Sequence, residues 1–402
     1  MSGEKINELL SYFSPLELNE FSDLTYLTDS GSVGNSIIIN NLAHPITIND
    51  RFEMAIFTVA ESDTGNSYNN SMPQQIREQF YRLKKNHSTV KIADLGNLKT
   101  GSKSGDMLFA INEVCTILLN LKINIVILST RPQSIQGIIE AFSTFDNNLN
   151  IADVSSHISI DLPSDDIDKE AILSPALHHF GNHIYNITSL AYQSYFTSPR
   201  QISYLNSQYF EHYRLGTIRK DIKSIEPSFR DADIANFNML SVRIQDAPEL
   251  FEGSPNGLYA DEACQLSRYA GISDKTQIFH FFGTYTHKNI DNNKITSKLA
   301  AQIIWYYIDG YQHRKHEYPK GSLNDCKKFE VQIDEIDFPI VFYKSNKTER
   351  WWIEIKTINK HPETDEMIIV SCTENDYKCA CNNEIPERWW INFKKIASSS
   401  QK

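Results

Sequence analysis

Long runs of one charge are missing from this sequence, long apolar runs are missing too, and cysteine is sparse. Its 402 residues hold 39 Lys or Arg against 50 Asp or Glu, a formal net charge of -11. With no basic cluster in that balance, nucleic acid and anionic membranes are excluded as main partners. The opening stretch MSGEKINELLSYFSPLELNE has no apolar segment of signal-peptide or membrane-span length, so a cytoplasmic address and no membrane insertion are expected. Six cysteines (Cys115, Cys264, Cys326, Cys372, Cys379 and Cys381) are too few for a disulfide scaffold in a chain this long, and reduced thiols are expected. Cys372, Cys379 and Cys381 lack the second pair that zinc-type spacing needs.

What is present is an alternation of apolar strands with helices. Hydrophobic residues make up 41% of the chain and charged ones 22%, and the length admits one large core plus an appendage, or two domains. Residues 1–50 read as a packing extension with an amphipathic helix on Ile6, Leu9, Leu10 and Phe13. Met54 to Ala60 reads as a buried strand feeding the polar loop Glu61 to Asn66, before a helix opened by Pro73. Val90 to Leu95 and Ile123 to Ser129 read as further strands. The helix between them, Asp106 to Lys122, carries a core stripe of Leu108, Ile111, Val114, Cys115, Leu118 and Leu121. His157 to Asp161 reads as a strand running on into Leu162, Pro163, Ser164, Asp165 and Asp166, and Arg214 to Gly216 is placed at another.

The most informative stretch is Arg230 to Gly283. Ile234 to Val242 reads as a buried strand, a Pro/Gly-rich loop follows, and a helix begins near Asp261 and Glu262 and stops at Gly271. Gln277 to Gly283 is a further strand and Thr296 to Tyr311 a closing helix. Strand, loop and helix in this order form the unit of an open parallel α/β sheet, whose ligand sites lie at the strand ends.

The text SPNGLYADEACQLSRYAG and AQIIWYYIDGY, with the strand containing Asn236-Phe237-Asn238-Met239-Leu240, resembles the ureohydrolase family of arginase, agmatinase and formimidoylglutamase, and formimidoylglutamase-like members most. The resemblance implies a three-layer α/β/α arginase-like fold over residues 51–320 with a mostly parallel eight-stranded sheet. It also implies where two manganese ions would be held. The family's G-G-x-H places its histidine at Pro132, its D-x-H-x-D falls on Asp161, Pro163 and Asp165, and its S-F-D-x-D puts the aspartates at Asn238 and Leu240. Thr286 takes the place of the substrate-binding glutamate. Three of these six metal positions offer no side-chain donor, and two carboxylates do not offset two dications.

No bound metal and no catalytic residue are therefore expected. The resemblance points to a degenerate ureohydrolase-fold protein serving as a protein-binding or scaffold subunit. The alternatives are a manganese-dependent hydrolase of a formimidoyl or guanidino substrate such as N-formimidoyl-glutamate, and a small-ligand sensor in the old cleft. Asp161, Asp165 and Asp166 are a candidate for one weakly held cation. His178, His179 and His183 do not share one helical face and read as structural or surface residues. A protein partner or a homo-oligomer is expected, since family members often form trimers or hexamers.

Residues 321–402 change character. Phe329 to Ile333, Ile340 to Lys344, Trp352 to Thr357 and Met367 to Cys372 alternate like an antiparallel sheet, and Pro386 to Ile396 reads as a helix. Glu-Arg-Trp-Trp-Ile occurs at 349–353 and again at 387–391, and the appendage holds four of the five tryptophans. Two readings fit: the tryptophans bury a small α+β subdomain against the body, or Arg350, Trp351, Trp352, Arg388, Trp389 and Trp390 form a protein-binding surface.

Overall fold

The computed structural model describes residues 3–18, 21, 24–47, 50–60, 68–69, 72–86, 89–101, 104–145, 148–161, 170–284, 286–287, 294–319, 323, 325–356 and 367–399. Eight strands form the parallel layer: β1 (Met54–Val59), β2 (Ile92–Leu98), β3 (Asn124–Ser129), β4 (Leu149–Val154), β5 (Ile184–Tyr192), β6 (His212–Arg214), β7 (Ile234–Asn238) and β8 (Ile278–Phe282). Their order across the sheet is 2-1-3-8-7-4-5-6. Two short strands from the first fifty residues, Phe13–Ser14 and Ile38–Ile39, extend the β2 edge, the first antiparallel and the second parallel. Every residue of β1, β3, β7 and β8 is buried, because helices cover both faces.

On one face lie α2 (Met72–Arg82), α6 (Ala260–Ile272) and α7 (Ile295–Gln312); on the other lie α1 (Gly3–Ser11), α3 (Ser104–Asn120) and α4 (Ser134–Ser143). Helices α6 and α7 touch backbone to backbone. A Cβ on Gly271 would stand 2.1 Å from the carbonyl oxygen of Tyr307, and one on Gly310 would stand 2.5 Å from that of Arg268. Only glycine permits that approach. At the far edge, the buried Arg77 guanidinium pairs with Asp94 at 2.6 Å and donates to Thr58 Oγ1 at 2.8 Å, joining the carboxyl ends of β1 and β2.

Two differences from the sequence-based expectations bear on the site. The strand expected at His157 to Asp161 is not in the sheet; β4 lies earlier, at Leu149–Val154, between β7 and β5. The alternation of Ile158 and Ile160 imitates a strand because both fill the core beneath the segment that leaves the sheet. Arg214 closes β6, but Leu215 already opens a helix, Leu215–Lys220.

The appendage is a four-stranded antiparallel sheet in sequence order, β9 (Cys326–Val331), β10 (Ile340–Ser345), β11 (Trp351–Lys356) and β12 (Met367–Cys372), with α8 (Glu374–Cys381) and α9 (Glu387–Ser399). Helix α8 was not foreseen; Thr373 caps it by accepting from the Asp376 amide, and the Asp376 carboxylate accepts in return. The repeated pentapeptide is a strand in β11 and a helix in α9, so it marks no duplicated module.

Of the two readings of the tryptophans, the packing here agrees with burial for three of the four. Trp351, Trp352 and Trp389 are buried, as is Arg388, and of the four tryptophans only Trp390 is exposed, at 42%. Successive strand residues point to opposite faces, and here both faces are covered. Trp351 joins the core that contains Trp389, while Trp352 packs with Val341 and Tyr343 beneath the Arg230 guanidinium, 4.9 Å from its ring. Arg350 is held between Glu226 at 3.2 Å and Glu317 at 3.1 Å.

Arginines fasten the appendage to the body. Arg230, closing α5 (Glu226–Arg230), donates to the carbonyls of Trp351 at 2.9 Å and Cys372 at 2.8 Å. From the other side, Arg388 donates to the carbonyl of Ser371 at 3.0 Å and pairs with Glu211 of the body at 3.0 Å. Planar guanidinium groups suit such multiple bonding in buried seams.

Candidate functional site at the carboxyl edge of the sheet

The topology selects where a site belongs. Helix α4, after β3, packs on one face; α7, after β8, packs on the other. Neighbouring strands whose connections diverge in this way leave a crevice at their carboxyl ends. The ends of β3, β8, β7 and β4 meet there.

A polar row crosses this part of the interior. Paired positions in the ladders place His280 of β8 beside Asn236 of β7, Asn236 beside Asp153 of β4, Asp153 beside Ser189 of β5, and Ser189 beside His212 of β6. Paired residues share a face, so these side chains form one line. Asn236 Nδ2 donates to Asp153 Oδ1 at 2.6 Å, and His280 Nδ1 lies 2.6 Å from Asn236 Oδ1. With the amide nitrogen already spent on Asp153, the imidazole donates from Nδ1. Its Nε2 lies 3.0 Å from Ser134 Oγ at the start of α4, and that hydroxyl also meets the Arg131 carbonyl and lies 2.7 Å from Ser129 Oγ at the end of β3.

Burial decides the protonation of this row. His280 is fully enclosed, which lowers its pKa to about 3 and keeps the ring neutral. Burial pushes the Asp153 carboxyl up to about 6, against the opposing pull of hydrogen bonds from Ser159 and Asn236.

The next layer toward the crevice is uncharged. Asn238 Nδ2 donates to Ser155 Oγ at 3.3 Å, and Asn238 Oδ1 accepts from the Leu240 amide at 3.0 Å. Gly283, at φ 77°, passes over this amide; a Cβ there would lie 2.1 Å from Asn238 Oδ1. The outer rim carries aromatic rings. His157 stacks on Phe196 at 4.4 Å, Phe196 meets Tyr195 edge-on at 4.6 Å, and Asn256 Nδ2 donates to Tyr195 OH at 3.1 Å.

Of the positions singled out from the sequence, Pro132, Asn238 and Leu240 do stand at the carboxyl edge, after β3 and β7. Asp161 lies beyond the end of β4, its backbone amide donating to Ser174 Oγ at 2.7 Å. Pro163, Asp165 and Asp166 lie outside the described residues. Thr286 belongs to a two-residue strand paired with Tyr68–Asn69, a ribbon joining the loops after β1 and β8. His178 and His179 are exposed, and with His183 they precede the amino end of β5, on the opposite edge. Among the described residues, no three His, Cys, Asp or Glu side chains are grouped as a metal would require. Asp153, His280, Ser129 and Ser134 were missed, although a lone polar residue inside an apolar run, as in Ile-Phe-His280-Phe-Phe, was the available signal.

An open, mostly parallel sheet with divergent connections at its centre and a crevice at the carboxyl ends defines a three-layer α/β protein with its ligand edge at the strand ends. No family model and no curated protein matches the sequence. Solved structures do match the fold. The formimidoylglutamase from Bacillus subtilis is 15% identical, with a TM-score of 0.61 over 75% of this chain and 97% of that one. Trypanosoma cruzi formiminoglutamase with Mn2+ is 15% identical, with a TM-score of 0.56 over 65% of this chain and 94% of that one. The agmatine ureohydrolase of Thermoplasma volcanium is 16% identical, with a TM-score of 0.52 over 65% and 90%. The chain thus shares the α/β fold of these structures, with a separate antiparallel sheet appended.

Proposed function

We propose that this protein retains the ureohydrolase scaffold without manganese-dependent hydrolysis, and acts as a binding or scaffold subunit in the cytoplasm. The observation that carries the proposal is the buried, largely uncharged donor set at the strand ends, linked by hydrogen bonds through Ser134, His280, Asn236 and Asp153. The chain engages Oδ1 of Asp153 through Asn236 and leaves Oδ2 buried without a hydrogen-bond partner among the described residues, a single carboxylate where two dications would need several.

The donor chemistry does not fit a pair of manganese ions. Because β4 ends at Val154, we read the D-x-H-x-D pattern of the resemblance at Asp153, Ser155 and His157 in place of Asp161, Pro163 and Asp165. The set is then Pro132, Asp153, Ser155, His157, Asn238 and Leu240. One carboxylate and one imidazole remain, the carboxyl is bonded to Asn236, and the imidazole Nδ1 lies 3.1 Å from Ser156 Oγ. Two dications need several oxygen and imidazole ligands and enough negative charge to offset them. Without that pair there is no metal-activated water, and the one described serine–histidine–amide arrangement, Ser134, His280 and Asn236, is fully buried and offers no nucleophile to a molecule in the crevice.

Metal analysis of protein expressed in manganese-supplemented medium tests the proposal, together with assays for formamide and urea release from N-formimidoyl-glutamate and agmatine. Substoichiometric metal and no release are expected. Two manganese ions per chain, or turnover abolished by chelator, would establish the hydrolase alternative instead. Size-exclusion chromatography and co-purification address the scaffold half; a monomer that captures nothing would remove it.

A further inference from the structure

A cavity of about 320 Å3 opens at the amino edge of the sheet, at the other end of the strands from the crevice. The body contributes the first residues of β4 and β5, including Ile151 and Thr188. The appendage contributes β12 from Ile368 to Val370, with α9 alongside. That volume is within the range of small-molecule sites, roughly 300–1,000 Å3.

Four charged side chains line it: Asp231, Glu211, Lys275 and Arg388. Two of each sign leave no net formal charge. Each is anchored from behind. Asp231 accepts from the Ser371 amide at 2.9 Å and from its hydroxyl at 2.6 Å. Arg388 pairs with Glu211 at 3.0 Å, and Lys275 with Asp233 at 3.1 Å.

The anchoring leaves capacity unspent. Both partners of Glu211, Arg388 and the Tyr213 hydroxyl at 3.0 Å, bond to Oε2, so Oε1 is available. The Lys275 ammonium has three protons and one ion-paired neighbour. A ligand of net charge would leave one sign of this wall opposed to it in a poorly solvated space. A zwitterion engages both signs.

We propose that this cavity binds a free α-amino acid with an aliphatic or aromatic side chain. Its ammonium group is held by Glu211 and Asp231, its carboxylate by Lys275, and its side chain by Ile151, Ile368 and Val370. Burial raises the Asp231 carboxyl, while the Ser371 hydrogen bonds, then Lys275 and Arg388, oppose that shift; a ligand ammonium acts in the same sense as these. Because body and appendage both contribute walls, an occupant bridges them and stabilises the folded chain.

Thermal denaturation and calorimetric titration of the full chain test this with L-leucine and L-phenylalanine. N-acetyl-L-leucine, which lacks the ammonium, and isoamylamine, which lacks the carboxylate, serve as comparisons. A saturable Tm increase with one site per chain is expected for the amino acids, and binding about tenfold weaker or more for both comparison compounds. Ile368→Trp fills the cavity from the appendage side and is expected to abolish binding while the chain remains folded. Lys275→Met is expected to weaken the amino acids and leave isoamylamine unchanged. Absence of binding at millimolar amino acid, equal binding of the comparison compounds, or undiminished binding to folded Ile368→Trp protein would each overturn the proposal.

Discussion

The imidazole of His280 donates from Nδ1 to the amide oxygen of Asn236 across 2.6 Å, at register-paired positions of two adjacent, fully buried strands. In the unfolded chain that ring takes up a proton near its ordinary value of 6.5, whereas in the fold it does so only near 3. Between those values the unfolded state binds more protons, so stability falls as pH drops through this window. The Tm of the native sequence is expected to decline more steeply from pH 7 to pH 4 than that of His280→Gln, as followed by circular dichroism.

Asp153 has the opposite sign. Its carboxyl rises from 3.8 to about 6, so the contribution of the protonated form is present at acid pH and is lost as pH rises through 6. Asp153→Asn keeps an oxygen to accept from Asn236 and removes the buried charge. Its Tm at pH 8 is expected to equal or exceed that of the native sequence, with a smaller difference at pH 5. Were Asp153 a manganese ligand, the same substitution would instead erase a manganese-induced rise in Tm.

Lys395 lies in the seam, donating to the Tyr185 carbonyl at 3.0 Å and to Asn186 Oδ1 at 2.8 Å. Burial lowers its pKa from 10.5 to about 7, with Glu211 as the opposing influence. The unfolded state holds the extra proton between those values, so stability is lost as pH falls from 10.5 to 7. Lys395→Met is expected to flatten the Tm profile over that range, gaining more at pH 7 than at pH 10.

Substitutions in the appendage should separate core from surface. Trp352→Ala and Trp389→Ala empty fully buried sites and are expected to cost about 3–5 kcal/mol each in urea unfolding. Arg388→Ala leaves Glu211 buried without its cation, with an expected loss of about 3–5 kcal/mol. Trp390→Ala, at an exposed position, is expected to change stability by no more than about 0.5 kcal/mol. A partner-capture defect specific to Trp390→Ala would place a contact there.

Much of the fold was legible in the sequence, because long apolar runs such as Met54 to Val59 and Asn124 to Ser129 have few other uses. Strand β4 was not legible. Leu149 to Val154 carries Asn150 and Asp153, and these weaken its pattern, while the neighbouring His157 to Asp161 alternates more cleanly without joining the sheet. With that strand earlier in the chain, Asp161 lies beyond the end of β4, whereas Pro132, Asn238 and Leu240 stand at the carboxyl edge of the sheet. The tryptophans were ambiguous for a different reason: a pair in a strand addresses two faces, and composition does not reveal that α8 covers one face and the body the other.

The polar row also bears on how the chain finds its shape. Parallel layers form late, from segments far apart in sequence, and nearly uniform aliphatic strands tolerate slippage. A one-residue slip of β7 would turn Asn236 into the layer of Phe279 and Phe281 and put Phe237 opposite Asp153. Each mismatch would strand a polar group without a partner, at roughly 1–3 kcal/mol apiece. Buried polar residues can thus serve as alignment pins, rejecting misassembled sheets before the helices lock.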